Sequence, residues 1–344
     1  MINLVQFPGL GLSLHINRVA ISLGGFNIYW YGIILAAGLM GGLLFAFRYG
    51  PDFGIDTDRM VDVVVIGTVM AIVCARVYYV AMAPFQYQSL WEMIDLRNGG
   101  IAIYGALIGA FVFGGLACKW RRIPLLQMFD LVAMGFLIGQ GVGRWGNFVN
   151  QEAFGCNTTL PWGMYSEATK SYLAANAASL AAQGMTVDPT MPVHPTFLYE
   201  SLWCFAGLFM LFRFMKKRCF HGEIFLLYAV WYGCGRFWIE GLRTDSLMLS
   251  AALNLRASQL VAAVSVIAAL ALEIHFRRIY RKAPMMVNLA VADLNAYAKA
   301  FPDGVCAKAL PASASHAEFV QKTKEWNREI QEKAKSADSA QAEE

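Results

Sequence analysis

Apolar residues in this chain run in long blocks and show almost no strict alternation. Seven blocks, at roughly 26–47, 60–83, 101–118, 124–143, 195–215, 222–242 and 257–276, approach or exceed the span a helix needs to cross a bilayer, about 20 mostly apolar residues. The third is the shortest and is rich in glycine, which predicts a broken or partly re-entrant helix. The first 25 residues are amphipathic and lack a basic start followed by an apolar block, so no cleavable signal peptide is expected. Residues 144–194 form the largest polar insertion, with Pro161, Pro189 and Pro192 around an Ala/Ser-rich centre, and 167–183 is expected to be a short helix over the membrane surface. From 283 to 344 Ala, Lys, Glu and Ser dominate, which predicts a charged tail, flexible or helical, with a helix over 315–334. The expected fold class is therefore an all-α integral membrane protein: residues 1–282 as a seven-helix bundle with the 144–194 insertion, and 283–344 as a tail.

Composition supports this reading. Of 344 residues, 57% are hydrophobic and 15% charged, where a soluble domain carries about 25% charged residues. Basic residues cluster after alternate blocks: Arg48 and Arg59; Lys119, Arg121 and Arg122; Arg213, Lys216, Lys217 and Arg218; Arg277, Arg278, Arg281 and Lys282. Threaded through seven helices, all of these fall on one side, which the positive-inside rule makes cytoplasmic. The N-terminus and the 144–194 insertion then face outward and the C-terminus inward. Topology and contact with anionic membrane lipids account for the basic runs, and no nucleic-acid motif is present. Seven cysteines without a CxxC pair support neither a zinc site nor a disulfide framework, and no metal or other cofactor is expected.

The candidate chemistry begins at the mouth of the fourth block. Gly143-Arg144-Trp145-Gly146-Asn147-Phe148-Val149-Asn150-Gln151-Glu152 crowds an arginine, two asparagines and a carboxylate where polar groups are costly unless they bind something. Gly141 to Gly146 formally matches GxGxxG, but a membrane helix precedes it and no strand does, so it is not a dinucleotide loop. Gly135, Gly139 and Gly143 instead repeat as a small-residue packing face. In the sixth block Tyr232, Arg236, Glu240 and Arg243 are spaced to share one helix face. An arginine near mid-membrane costs about 2.5–3.5 kcal/mol on insertion scales. Either Arg236 and Glu240 only neutralise each other, or the stripe walls a polar cavity; Tyr232 and Arg243 on the same stripe favour the cavity. The fifth block opens His194-Pro195-Thr196-Phe197-Leu198-Tyr199-Glu200, where His194 reads as a base or a cap, and Glu200 as a site residue or a first-turn carboxylate suited to the helix dipole. Arg76, Tyr104 and the Tyr29-Trp30-Tyr31 cluster are further intramembrane or interfacial candidates.

Taken in order, these motifs resemble the bacterial prolipoprotein diacylglyceryl transferases over about residues 20–280. The resemblance rests on Gly143-Arg144-x-Gly146-Asn147-Phe148-x-Asn150-x-Glu152, on His194-Pro195-x-x-Leu198-Tyr199-Glu200, on the Tyr232/Arg236/Glu240/Arg243 stripe, and on Trp30-Tyr31-Gly32 and Arg76. It implies an enzyme of the bacterial inner membrane, with its site toward the outer leaflet. Such an enzyme moves the diacylglyceryl group of phosphatidylglycerol to the lipobox cysteine of prolipoproteins and releases glycerol phosphate. Arg144 and Arg236 would stabilise the phosphate leaving group, with Glu240 and Arg243 holding Arg236. Asn147, Asn150 and Glu152 would orient the glycerol hydroxyls or Arg144, and Tyr31, Arg76, His194, Tyr199, Glu200 and Tyr232 would line the substrate site. Many relatives carry a histidine, proposed as the base, where this chain has Tyr104. An ordinary tyrosine titrates near 10 and is a poor base unless arginines act on it. So Tyr104 ionises beside a guanidinium, the base lies elsewhere, or the positive field ionises the thiol. The competing reading is a transporter or flippase for an anionic lipid, with the same arginines along its pathway.

Overall fold

The computed structural model describes residues 2–24, 26–83, 87, 89–95, 99–218, 220–244, 248–250 and 255–280, and scattered positions of 321–336. Among these residues the strands are β1 (Ile2–Phe7), β2 (Leu12–Asn17), β3 (Val19–Leu23), β4 (Phe26–Tyr29), β5 (Tyr165–Ser166), β6 (Met248–Ser250) and β7 (Leu255–Arg256). The helices are α1 (Trp30–Tyr49), α2 (Thr57–Ala81), α3 (Leu90–Ile94), α4 (Ile103–Arg121), α5 (Leu125–Asn150), α6 (Glu167–Ala182), α7 (Thr196–Phe214), α8 (Glu223–Leu242) and α9 (Ala257–Tyr280). The protein is mostly helical, and six stretches are long and apolar enough to cross a membrane: Trp30–Phe53, Thr57–Ala81, Ile103–Arg121, Leu125–Asn150, Thr196–Phe214 and Ser258–Arg278. Large apolar side chains stay exposed along them, among them Leu44, Val69, Phe209 and Ile267, as lipid-facing surfaces require. The expected tail helix over 315–334 lies largely outside the described residues, as does most of 283–344.

The contacts divide the chain into two compact units, one of Met1–Ala46 and Val132–Lys282, the other of Phe47–Leu131 and Ala283–Glu344. In the first, residues taken from sequence only as an amphipathic start form a small sheet, so the protein is not purely helical. β1 pairs β2 antiparallel from Ile2↔Asn17 to Phe7↔Leu12 and β5 through Val5↔Ser166. Val5 and Phe7 point inward with Met164, Leu173, Leu180 and Val193, and share that core with Phe148, Phe154 and Phe197. Helix α6 matches the expectation for 167–183, and its start carries reciprocal Ser166–Thr169 hydrogen bonds. Phe148 from α5 stacks on Phe197 from α7 at 4.6 Å, so this small lobe and the helix ends are one packed body.

Helix α5 does not stop near 143; it runs through Asn150 and carries Arg144 and Asn147 on its last turns. Helices α1 and α5 meet at small residues: a Cβ on Gly38 would lie 3.3 Å from Gly139 Cα. Trp145 donates to Ser201 Oγ at 3.2 Å, and Ser201 Oγ to the Gly141 carbonyl at 2.8 Å, tying α5 to α7. Helices α7 and α8 are clasped by Trp203 and Trp231, stacked at 4.4 Å. Each indole donates to the other residue's carbonyl, at 2.9 and 2.8 Å. At the other end of α8, Glu223, fully buried, holds Arg277 of α9 at 2.8 Å.

In the second unit α2 packs along α4. The glycines of α4 that suggested a broken segment are close-approach positions: Gly105 and Gly109 lie against the Cys74 and Met70 carbonyls of α2. α4 is accordingly one unbroken helix of 19 residues. Asp56 caps α2 by accepting from Asp58 N at 2.9 Å, and Arg121 pairs with Asp62 at 2.7 Å.

Candidate active site

The site in the first unit is organised by Glu200. It lies in the second turn of α7, beyond reach of a dipole or capping role, and is buried at 4% exposure. Arg144 Nη2 of α5 contacts its Oε2 at 2.6 Å. Arg236 Nη1 of α8 and Arg243 Nη1 contact its Oε1 at 3.4 and 3.6 Å. Arg236 Nη2 also pairs with Glu240, one turn on. Arg243 follows the last residue of α8 with an extended backbone, so it reaches the cluster from the helix cap. The two carboxylates are almost fully buried, whereas the Arg144 and Arg236 side chains are about one-fifth exposed. The acids therefore lie behind and the guanidiniums in front. Three arginines thus converge on Glu200 and Glu240, with the Glu152 carboxylate linked to Arg144 through Asn147.

The tip of α5 supplies the polar rim. Arg144 Nη1 donates to Asn147 Oδ1 at 3.4 Å, and Asn147 Nδ2 and Asn150 Nδ2 donate to Glu152 Oε1 at 2.9 and 3.4 Å. Gln151 and Ala153 take left-handed backbones, φ 55 and 57, which turn the chain so that Glu152 N bonds back to the Asn147 carbonyl. Tyr31 lies over Gly146, where a Cβ would stand 2.7 Å from its ring. Its hydroxyl is within electrostatic reach of Glu152 and Arg144. Tyr232 is likewise within reach of Arg144, Arg236 and Glu200.

His194 and Tyr199 form a neighbouring group. The Tyr199 hydroxyl accepts from Trp162 Nε1 at 2.7 Å and lies 3.1 Å from His194 Nδ1. Burial holds the His194 imidazole below its ordinary value, favouring the neutral ring. Burial also pushes the Cys156 thiol up, which disfavours its thiolate.

Arg76 and Tyr104 belong to the second unit. Arg76 was expected in a substrate cavity, yet its guanidinium is taken up by backbone: Nε to Met93 O at 2.7 Å, Nη2 to Glu92 O at 2.8 Å, and Nη1 to Gly99 O and Gly100 O at 2.9 and 2.8 Å. Two of these carbonyls end α3, where a cation suits the helix terminus. Gly100 has φ 84 and lies so close that a Cβ would collide with Arg76 Nη1. Arg76 is thus a pin for the segment entering α4. Tyr104, in the first turn of α4, has its ring 6.5 Å from that of Tyr78.

Two participants had escaped the sequence reading. Arg18 Nη2 donates to the Asn150 carbonyl at 2.6 Å, and its one sequence signal is that it is the first Lys or Arg of the chain. Trp162, in the insertion, had no signal.

A family model described as prolipoprotein diacylglyceryl transferase matches residues 18–275. The chain is 44% identical over 242 residues to the phosphatidylglycerol–prolipoprotein diacylglyceryl transferase of Bacillus cytotoxicus, covering 70% of this chain and 86% of the relative. The like-named proteins of Bacillus cereus strain Q1 and of Bacillus anthracis strain CDC 684 are each 44% identical with the same coverage.

Proposed function

This chain belongs to the prolipoprotein diacylglyceryl transferase family, and from that premise we propose that it transfers the sn-1,2-diacylglyceryl group of phosphatidylglycerol to the lipobox cysteine thiol of prolipoproteins. The thiolate sulfur attacks the glyceryl carbon that carries the phosphate ester. The C–S bond forms, the C–O bond breaks with its electron pair on the phosphate oxygen, and glycerol phosphate leaves. The thiol proton passes to a base.

The observation that carries this reading is the pair Arg144 and Arg236 on one buried carboxylate, Glu200. Guanidinium donors held in fixed positions meet the charge that develops on the leaving phosphate. Glu200, Glu240 and Arg243 set their geometry. Asn147, Asn150, Glu152 and Tyr31 form the rim that takes the glycerol head group, with Tyr232, His194 and Tyr199 beside it. The partly exposed guanidiniums of Arg144 and Arg236 favour the thiolate form of an incoming cysteine. Arg76, whose donors face carbonyls, supports the segment entering α4 and does not act on Tyr104. The proton therefore goes to Tyr104 without that help, to a base elsewhere, or leaves a thiol ionised directly by the arginine field.

Helix α8 is assigned as a seventh span: it has 20 residues, and its Arg236 and Glu240 are paired inside the bundle. Seven spans and the basic loops give an external N-terminus, a cytoplasmic C-terminus and a site toward the outer leaflet of the bacterial inner membrane. The deciding experiment incubates purified protein in detergent with phosphatidylglycerol and a lipobox peptide. Peptide lipidation with equimolar glycerol phosphate supports the transferase. No release in detergent, together with lipid movement between leaflets once the protein is reconstituted in vesicles, would identify a transporter built on the same arginines.

A further inference from the structure

Gln140 on α5 and Tyr228 on α8 each stand four residues before a site residue, Arg144 and Tyr232, on the same helix. They therefore occupy the same helix faces one turn, about 6 Å, deeper in the bundle. Gln140 Nε2 donates to the Tyr228 hydroxyl at 2.9 Å. The Tyr228 ring stacks on that of Tyr232 at 5.7 Å, which makes the pair continuous with the arginine site.

The pair has more hydrogen-bonding capacity than it uses. Tyr228 is 9% exposed, and its hydroxyl, accepting from Gln140, keeps its own proton undirected. Gln140 Oε1 is shielded from solvent and has no hydrogen-bond partner. Turning the amide over lets the Tyr228 hydroxyl donate to Oε1 and leaves an Nε2 proton as the one group still lacking a partner, an acceptor. A clamp between two helices needs only the one bond, and a buried polar group left incomplete costs about 1–3 kcal/mol.

A diacyl phospholipid brings the missing acceptor. Its ester carbonyls lie a few bonds inward of the phosphate, matching the one-turn offset of Gln140 and Tyr228 below the arginines. We propose that Gln140 and Tyr228 form a subsite for an ester carbonyl of the lipid donor, so that the enzyme prefers diacyl to dialkyl-ether donors. The inference rests on the transferase reading above.

The test uses the full-length protein, a lipobox peptide, and two phosphatidylglycerols of equal chain length, one with ester-linked and one with ether-linked chains. Both contain the same scissile C–O bond. Wild-type kcat/KM is expected to be about 3- to 10-fold higher for the ester lipid, the size of one neutral hydrogen bond, and carried by KM. Tyr228→Phe and Gln140→Leu should each bring that ratio close to one, and the double variant no further. Equal wild-type values on the two lipids overturn the inference alone, without recourse to any variant. Variants that slow both lipids by the same factor also overturn it, since that is the result of packing. No transfer from either lipid overturns the transferase reading and the inference with it.

Discussion

Replacing Glu200 by glutamine removes the charge at the centre of three arginines while preserving shape. The nitrogens of Arg144, Arg236 and Arg243 lie 2.6, 3.4 and 3.6 Å from its oxygens. Breaking a buried ion pair by removing one member costs about 3–5 kcal/mol, because the remaining charge is left uncompensated. Here Glu240 still neutralises Arg236, and Arg144 is 19% exposed and partly hydrated. The expected destabilisation is therefore at the lower end, about 3 kcal/mol. The same displacement acts on turnover, because Arg144 and Arg236 would no longer be fixed where phosphate charge develops. A loss of about 3 kcal/mol of transition-state stabilisation corresponds to roughly a 100-fold drop in kcat/KM. Glycerol phosphate release measures the rate, and tryptophan fluorescence on heating measures the stability. Glu200→Asp, which keeps the charge but shortens the reach, should fall between. A Glu200→Gln enzyme that melts and turns over like the wild type would refute the hub, and with it the argument that Glu200 fixes the two leaving-group arginines.

Arg144→Ala should abolish transfer, by at least about 1,000-fold, yet leave the protein folded, since Glu200 keeps Arg236 and Arg243; normal activity would remove Arg144 from the site. Tyr104→Phe separates the proton-acceptor alternatives: near-normal turnover excludes the phenol oxygen as an essential base. Arg76→Lys loses the fork that reaches four carbonyls and should lower the thermal midpoint by several degrees, with KM for phosphatidylglycerol within about twofold; a large KM increase without destabilisation would make Arg76 a lipid ligand. Because burial depresses the His194 value, the unfolded chain takes up its proton first. Stability from the neutral ring is then complete above pH about 6.5 and declines below it. Thermal midpoints between about pH 8 and pH 5 should fall more steeply for the wild type than for His194→Gln, and parallel curves would refute the assignment.

The parts of the site that were legible were those in which one local period carried the information. Arg236, Glu240 and Arg243 follow each other at helical spacing, and the structure brings all three to Glu200 or to each other. Glu200 was ambiguous because its partners lie 36 or more residues away, and no local pattern reveals a long-range ion pair. Arg76 was expected to line the substrate site for a related reason: an arginine inside an apolar run looks the same whether it meets a substrate or, as here, backbone carbonyls. The end of α5 was set too early because the apolar run stops before Arg144, whereas contacts such as Trp145 with Ser201 carry the helix on to Asn150. The N-terminal strands escaped notice because in β2 only Leu14 and Ile16 are even half-buried, too weak an alternation against neighbouring blocks of 20 apolar residues.

The Trp203–Trp231 clasp limits the motions open to this machine. Each indole is bonded to the carbonyl beside the other and rests where a glycine, Gly235 or Gly207, leaves room for a flat ring. Sliding α7 along α8 by one turn would break both bonds at once and take each ring off the glycine that admits it. The pair therefore resists shear and holds Glu200, Arg236 and Glu240 in fixed registration. A cross-link between α7 and α8 at this level should therefore leave turnover unchanged, because the sliding it forbids is already forbidden by the clasp.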